Sequence, residues 1–192
     1  MTTLVKDDPT SMTHVGFWTY IMTDCILFGV LFATYAVLHK NTFGGPSGKD
    51  LFEAPYALGE TLILLVSSFF CGLSEVGARK NSKKIVLFWL SLTFLLGVSF
   101  LVMEGMEFTK FVKMGASWKR SGFLSSFFTL VGTHGCHISV GLLWMLVMMF
   151  QVAIKGFNPF VMRRLACLRL FWHFLDVVWI FIFTLVYMMG VE

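Results

Sequence analysis

The chain has 192 residues, 57% hydrophobic and 14% charged, with 22 phenylalanines, 12 methionines and a mean hydropathy of +0.78. Soluble domains carry about 25% charged residues, so a water-soluble enzyme and a disordered tail are both excluded. The formal net charge of +4 is scattered over short segments and makes no continuous basic surface, which argues against nucleic acid as a partner.

The first 16 residues are polar and include Asp7, Asp8 and Pro9, unlike the basic start and short apolar run of a cleaved leader. Retention of the N-terminus is expected. Apolar stretches follow near 17–38, 56–78, 85–108, 124–151 and 166–189. Each reaches the roughly 20 residues that cross about 30 Å of hydrocarbon, and in lipid a helix satisfies its own backbone hydrogen bonds. The expectation is therefore all-α: a single transmembrane domain over 1–192 built as a bundle of five spanning helices. The connections are 39–55, glycine-rich with Pro46 and Pro55, then 79–84, 109–123 and 152–165, none long enough for a separate soluble domain.

Lys and Arg set the expected orientation. Lys6, Arg79, Lys80, Lys83, Lys84, Lys155, Arg163, Arg164 and Arg169 fall on one side, and Lys40, Lys49, Lys110, Lys113, Lys119 and Arg120 on the other. The richer side is read as cytoplasmic, with the N-terminus inside and the C-terminus in the periplasm. Cys25, Cys71, Cys136 and Cys167 lie in or beside apolar segments without a CxxC spacing, so they read as small apolar residues.

Ionisable residues inside the apolar stretches are the candidate functional groups, because an Asp, Lys or Arg at the centre of a membrane helix costs about 2.5–3.5 kcal/mol and so faces protein or water. They are Asp24, Glu60, Glu104, Glu107, His134, His137, His173 and Asp176. Glu104/Glu107, His134/His137 and His173/Asp176 are spaced i, i+3, which puts both members on one helix face. At about 1.5 Å per residue, Asp24, the two histidines of the fourth segment and the His173/Asp176 pair reach similar heights in the inner half. They are expected to form an inner cluster, with Glu60, Glu104 and Glu107 near the outer surface.

Interhelical hydrogen bonding or headgroup contact is the first reading of the inner cluster. Metal or haem ligation is a second, weakened because HGCH is not HExxH and no complete ligand set emerges. A quinol or proton site is a third, because Arg169, His173 and Asp176 at i, i+4 and i+7 share a face. Gly29 with Ala33 and Gly135 with Ser139 are small-residue pairs suited to close helix approach. Trp18, Trp89, Trp118, Trp172 and Tyr187 are expected in an interfacial aromatic belt. P-loop, GxSxG and nucleotide-fingerprint motifs are absent from the sequence.

The stretches FWTYIMTDCILFGVLFATYAVL (17–38), GGPSGKDLFEAPYALGETLILLVSS (44–68), RSGFLSSFFTLVGTHGCHISVGLLWM (120–145) and LFWHFLDVVWIFIFTLVYMMG (170–190) resemble subunit III of haem-copper terminal oxidases. Within that family they are most similar to the branch found in ubiquinol oxidases of the cytochrome bo type. GTHGCH followed by WHFLDVVW carries the likeness, and the ExxE of Glu104 and Glu107 fits the same pattern. The resemblance implies a non-catalytic subunit with no haem or copper of its own. It would pack beside subunits I, II and IV in a bacterial inner membrane and bind phospholipid between its helices. Haem b, haem o and copper would lie in subunit I, and the assembly would oxidise ubiquinol, reduce dioxygen to water and pump protons. It implies structural or lipid-contact roles for the eight ionisable residues and Arg169. Glu75 departs from the pattern, standing beside a position where an apolar residue is expected.

Overall fold

The computed structural model describes residues 9–42, 54–116, 118–188 and 190, with side chains from residue 15 onwards apart from Ala54. Asp7, Asp8, Lys6, Lys49 and Pro46 lie outside the described residues. The described chain is all-helical. The helices are α1 (Pro9–Leu38), α2 (Ala54–Arg79), α3 (Lys83–Lys113), α4 (Gly122–Lys155) and α5 (Pro159–Ile182), the last running into a π-helical turn (Phe183–Met188). All five are long and apolar enough to cross a membrane, the least apolar having a mean hydropathy of 1.7 over its best window.

The helices are longer than the apolar stretches. α3 continues to Lys113, α4 runs from Gly122 to Lys155, and α5 begins at Pro159, seven residues before 166. Charge was a poor marker of helix ends because Lys and Arg lay their stems along apolar surface and carry the head to water without breaking the backbone. The real stops are conformational. Gly115 (φ 78°) and Gly156 (φ 67°) take the left-handed region after α3 and α4, and Asn81 (φ 51°) does so in the α2–α3 turn. The starts of α4 and α5 are capped: Ser121 accepts from the Leu124 amide at 3.2 Å, and Asn158 accepts from Phe160 N–H at 3.2 Å ahead of Pro159.

α2 and α3 form a tightly packed antiparallel hairpin. Gly77 permits its turn, since a Cβ there would stand 2.8 Å from Ile85 and 3.0 Å from the Val86 amide nitrogen. α4 packs on α3 and α5, α5 also packs on α2, and α1 leans on α4 and α5. Large side chains fill the centre, among them Trp172, Trp179, Phe100 and Phe127, all at most 1% exposed. The outside is apolar too, with Ile26, Phe69, Leu95, Leu143 and Phe150 exposed, as expected of a bundle whose solvent is hydrocarbon. The four cysteines are unlinked, Cys71 and Cys167 inside and Cys25 and Cys136 on the exterior.

The small-residue pairs behave differently from one another. A Cβ on Gly29 would meet nothing within 4 Å, and Ala33 is exposed, so neither brings two helices of this chain together. Gly135 is tight against the carboxyl of Glu104, while the exposed Ser139 bonds back to the Gly135 carbonyl at 2.9 Å. The close approaches occur at Gly97 and Gly141, whose absent side chains make room for the Trp172 ring, at 2.8 Å and 3.2 Å from the notional Cβ atoms.

Candidate functional site

The buried polar side chains form several contacts that join different helices. Between α2 and α5 they make a seam. Trp172 Nε1–H donates to Ser67 Oγ at 3.1 Å, and Ser67 Oγ donates to the Thr93 carbonyl at 3.3 Å, so one hydroxyl ties α5, α2 and α3. Two turns along α5, Trp179 Nε1–H donates to Thr61 Oγ1 at 3.1 Å. Thr61 in turn donates to the Ala57 carbonyl at 2.8 Å. Asp176 is buried facing Ser68, and Arg169 Nη2 lies 3.2 Å from Glu75 Oε2. Glu75 also holds Arg79 at 2.7 Å, so it serves as a counter-charge to two arginines.

Trp172 and Tyr187 are thus not interfacial belt residues; both are at most 1% exposed. An indole or phenol that has a hydrogen-bond partner can be buried whole, and each has one here. Trp18 is exposed on α1, Trp118 is exposed between α3 and α4, and Trp89 stacks on Phe70 with centroids 5.3 Å apart.

The carboxylates Glu60, Glu104 and Glu107 come together from α2 and α3, within electrostatic reach of one another and of Tyr187. Tyr187 O–H donates to Glu107 Oε2 at 2.6 Å. The π-helical turn contributes to this contact. In unbroken α geometry Tyr187, eight residues after Trp179, would be turned roughly 80° from it, and a turn with wider spacing brings it back. The two rings lie 6.1 Å apart. Both oxygens of Glu60 and one of Glu104 have no hydrogen-bond partner among the described residues.

The expected height of this group is corrected for Glu104, which contacts Gly135, the neighbour of His134, instead of standing near the outer surface. Because α3 runs on to Lys113, Glu104 is nine residues, roughly 14 Å, from the helix end and not at it, and it meets α4 thirteen residues, roughly 20 Å, after Gly122.

The expected inner cluster divides. Asp24 Oδ1 lies 3.8 Å from His137 Nε2, joining α1 to α4, while His137 Nδ1–H donates to the Thr133 carbonyl at 2.7 Å. The Tyr20 hydroxyl faces Asp24 from one turn earlier. His134 is fully buried among rings: stacked on Trp179 at 5.4 Å with the planes 28° apart, and with Phe100 at 6.1 Å and Phe28 at 6.2 Å edge-on. Neither of its ring nitrogens has a hydrogen-bond partner among the described residues. His173 is exposed on the outside of α5 and does not join the other histidines. No group of three His, Cys, Asp or Glu side chains is placed to hold a metal ion among the described residues.

Of the residues named from the sequence, Asp24, Glu60, Glu104, Glu107, His134, His137, Arg169 and Asp176 are buried or half-buried and His173 is exposed. Sequence reasoning missed Thr61, Ser67, Ser68 and Thr93, uncharged residues that a search for ionisable groups passes over. Their signal was the hydroxyls spaced along the second apolar stretch, with Thr93 in the third, since a Ser or Thr on a spanning helix can bond to its own preceding turn or to a neighbour.

Comparison with known proteins gives one consistent answer. The family described as "Cytochrome c oxidase subunit III" matches residues 9–191. The chain is 57% identical to a cytochrome bo(3) ubiquinol oxidase subunit 3 of Pseudomonas aeruginosa, over 93% of this chain and 85% of the relative. It is 52% identical to the protein of the same description from Pseudomonas putida, over 96% and 89%. A probable quinol oxidase subunit 3 of Staphylococcus haemolyticus is 43% identical over 93% and 90%. A five-helix apolar bundle whose polar side chains are directed at one another, matched over nearly its whole length, belongs to the cytochrome c oxidase subunit III family.

Proposed function

We propose that the chain is the non-catalytic subunit III of a proton-pumping ubiquinol oxidase of the cytochrome bo type in a bacterial inner membrane. It packs beside subunits I, II and IV. Subunit I supplies haem b, haem o and copper, and this chain stabilises it and holds phospholipid. The N-terminus is cytoplasmic and the C-terminus periplasmic. The observation that carries the reading is the use made of the buried polar groups: Trp172, Trp179, Tyr187 and Arg169 each donate across a helix boundary within the chain. The high identity to quinol oxidase subunits supports the choice of complex.

The chain's own chemistry is then adhesion, not electron transfer. Asp24 with His137 fastens α1 to the rest, the α2–α5 seam fixes the middle, and Glu107 with Tyr187 closes the end. Purification of the complex with and without this chain tests the proposal. Haem and copper content per subunit I should be equal, initial quinol turnover similar, and activity without the chain should decay faster during turnover. Haem found on this chain, or its recovery with a cytochrome c oxidase or nitric oxide reductase, refutes the proposal. Loss of initial quinol oxidation on joint replacement of His173 and Asp176 in an assembled complex would instead establish a direct role in quinol or proton handling.

A further inference from the structure

We propose that the groove beside the α2–α3 turn is a binding site for one anionic phospholipid, separate from the polar contacts inside the bundle. The groove is an open one of about 620 Å³, with Leu73, Val76, Ile85 and Phe88 as walls and Lys80 and Lys84 at its mouth. Trp89 closes its deeper side and is itself braced by stacking on Phe70. α2 ends at Arg79 and α3 begins at Lys83, so the two ammonium groups stand at the level of the helix ends. Val76 and Phe88 lie about one turn, roughly 5 Å, further into the hydrocarbon. Charge above and apolar wall below is the profile of a phosphate headgroup carrying acyl chains.

Charge complementarity fixes the occupant. Four cations, Arg79, Lys80, Lys83 and Lys84, fall within the six residues 79–84. Arg79 is neutralised by Glu75 at 2.7 Å, and Lys83 reaches across to Gly156, its Cε 2.9 Å from a notional Cβ there. Lys80 and Lys84 are exposed and have no carboxylate partner among the described residues. Glu75, the nearby acid on α2, is engaged by Arg79 and Arg169. Ser82 makes no side-chain cap to α3, so the positive end of a 31-residue helix opens at the same place. The grooves along α4 at Phe150 and near Trp118 each have a single lysine, Lys155 and Lys113. Two unpaired lysines and a helix start favour a net-negative headgroup over a zwitterionic one.

The site rests on the chain spanning a membrane and does not depend on which oxidase it serves. The test uses the intact complex in phosphatidylcholine nanodiscs doped with photoactivatable phosphatidylglycerol, with label mapped by peptide mass spectrometry and counted per copy of this chain. Label should fall on residues 73–89 and be competed by phosphatidylglycerol but not by phosphatidylcholine. It should drop about tenfold in the double variant Lys80→Gln/Lys84→Gln and stay unchanged in Lys113→Gln/Lys119→Gln. Equal competition by both lipids, or unchanged labelling in the first variant, overturns the site. So does cross-linking of a benzophenone on Val76→Cys to a partner subunit with no lipid label, since a polypeptide then fills the groove. The subunit content of the same preparation tests the oxidase assignment separately.

Discussion

Tyr187 shows how much one hydroxyl can decide in a bilayer. Its O–H at 2.6 Å satisfies Glu107 Oε2 inside the bundle, where both side chains are buried. Tyr187→Phe keeps the ring packing against Trp179 and Phe127 and removes the donor. We expect a loss of about 1 kcal/mol in reversible unfolding from mixed micelles, the usual size of a hydrogen bond between membrane helices, and an unchanged value would show the contact to be idle. Glycines give a contrast of a different kind. At Gly97 a methyl would overlap Leu142 and Trp172 at 2.8 Å, in a place where helices α3, α4 and α5 meet. Gly97→Ala should therefore cost about 1–3 kcal/mol through overpacking, measured in the same assay. Gly29→Ala, with nothing within 4 Å, should be neutral within this chain or slightly stabilising through helix propensity.

Among the elements, the α2–α5 seam holds the hairpin against the rest of the bundle. A double-mutant cycle on Ser67→Ala and Trp172→Phe should give a coupling of about 0.6–1.7 kcal/mol, and additivity would mean that the 3.1 Å contact contributes nothing. The ion cluster at the end of the seam is asymmetric. Arg169 is 16% exposed and Arg79 77% exposed, although both contact Glu75. Glu75→Gln should destabilise the assembled complex measurably because it leaves the half-buried Arg169 without a counter-charge, whereas Arg79→Gln should change its melting temperature little. Equal effects of the two substitutions would place the importance of Glu75 at the surface.

For the whole molecule, the orientation drawn from the distribution of Lys and Arg leads to a labelling experiment. With the N-terminus inside, Lys80→Cys should react with an impermeant thiol reagent only from the cytoplasmic side, and Lys119→Cys only from the periplasmic side, in a background lacking the four native cysteines. The reverse pattern would invert the topology. α1 is the least enclosed of the spans, with 22% of its best window buried, and its contacts are with α4 and α5. Asp24→Asn should therefore loosen α1 selectively, raising hydrogen exchange of its amides while those of α3 are unchanged, and a uniform increase would argue against a local fastening by His137.

The succession of apolar residues alone determined five helices long enough to cross a bilayer, because about 20 apolar residues in a row have one low-energy solution there. The residues bearing charge inside those stretches were equally legible, since each is expensive enough to be visible singly. Their partners were not. Depth counted from charged boundaries misplaced Glu104, because the α3 backbone continues to Lys113 after the apolar run has ended. Trp172 and Tyr187 read as interfacial because position along one helix says nothing about the glycines and hydroxyls that neighbouring helices present. Which residue meets which depends on helix rotation and on a single π-helical turn, and both are settled by packing among all five spans, a sum of many small contacts that no local stretch of sequence contains.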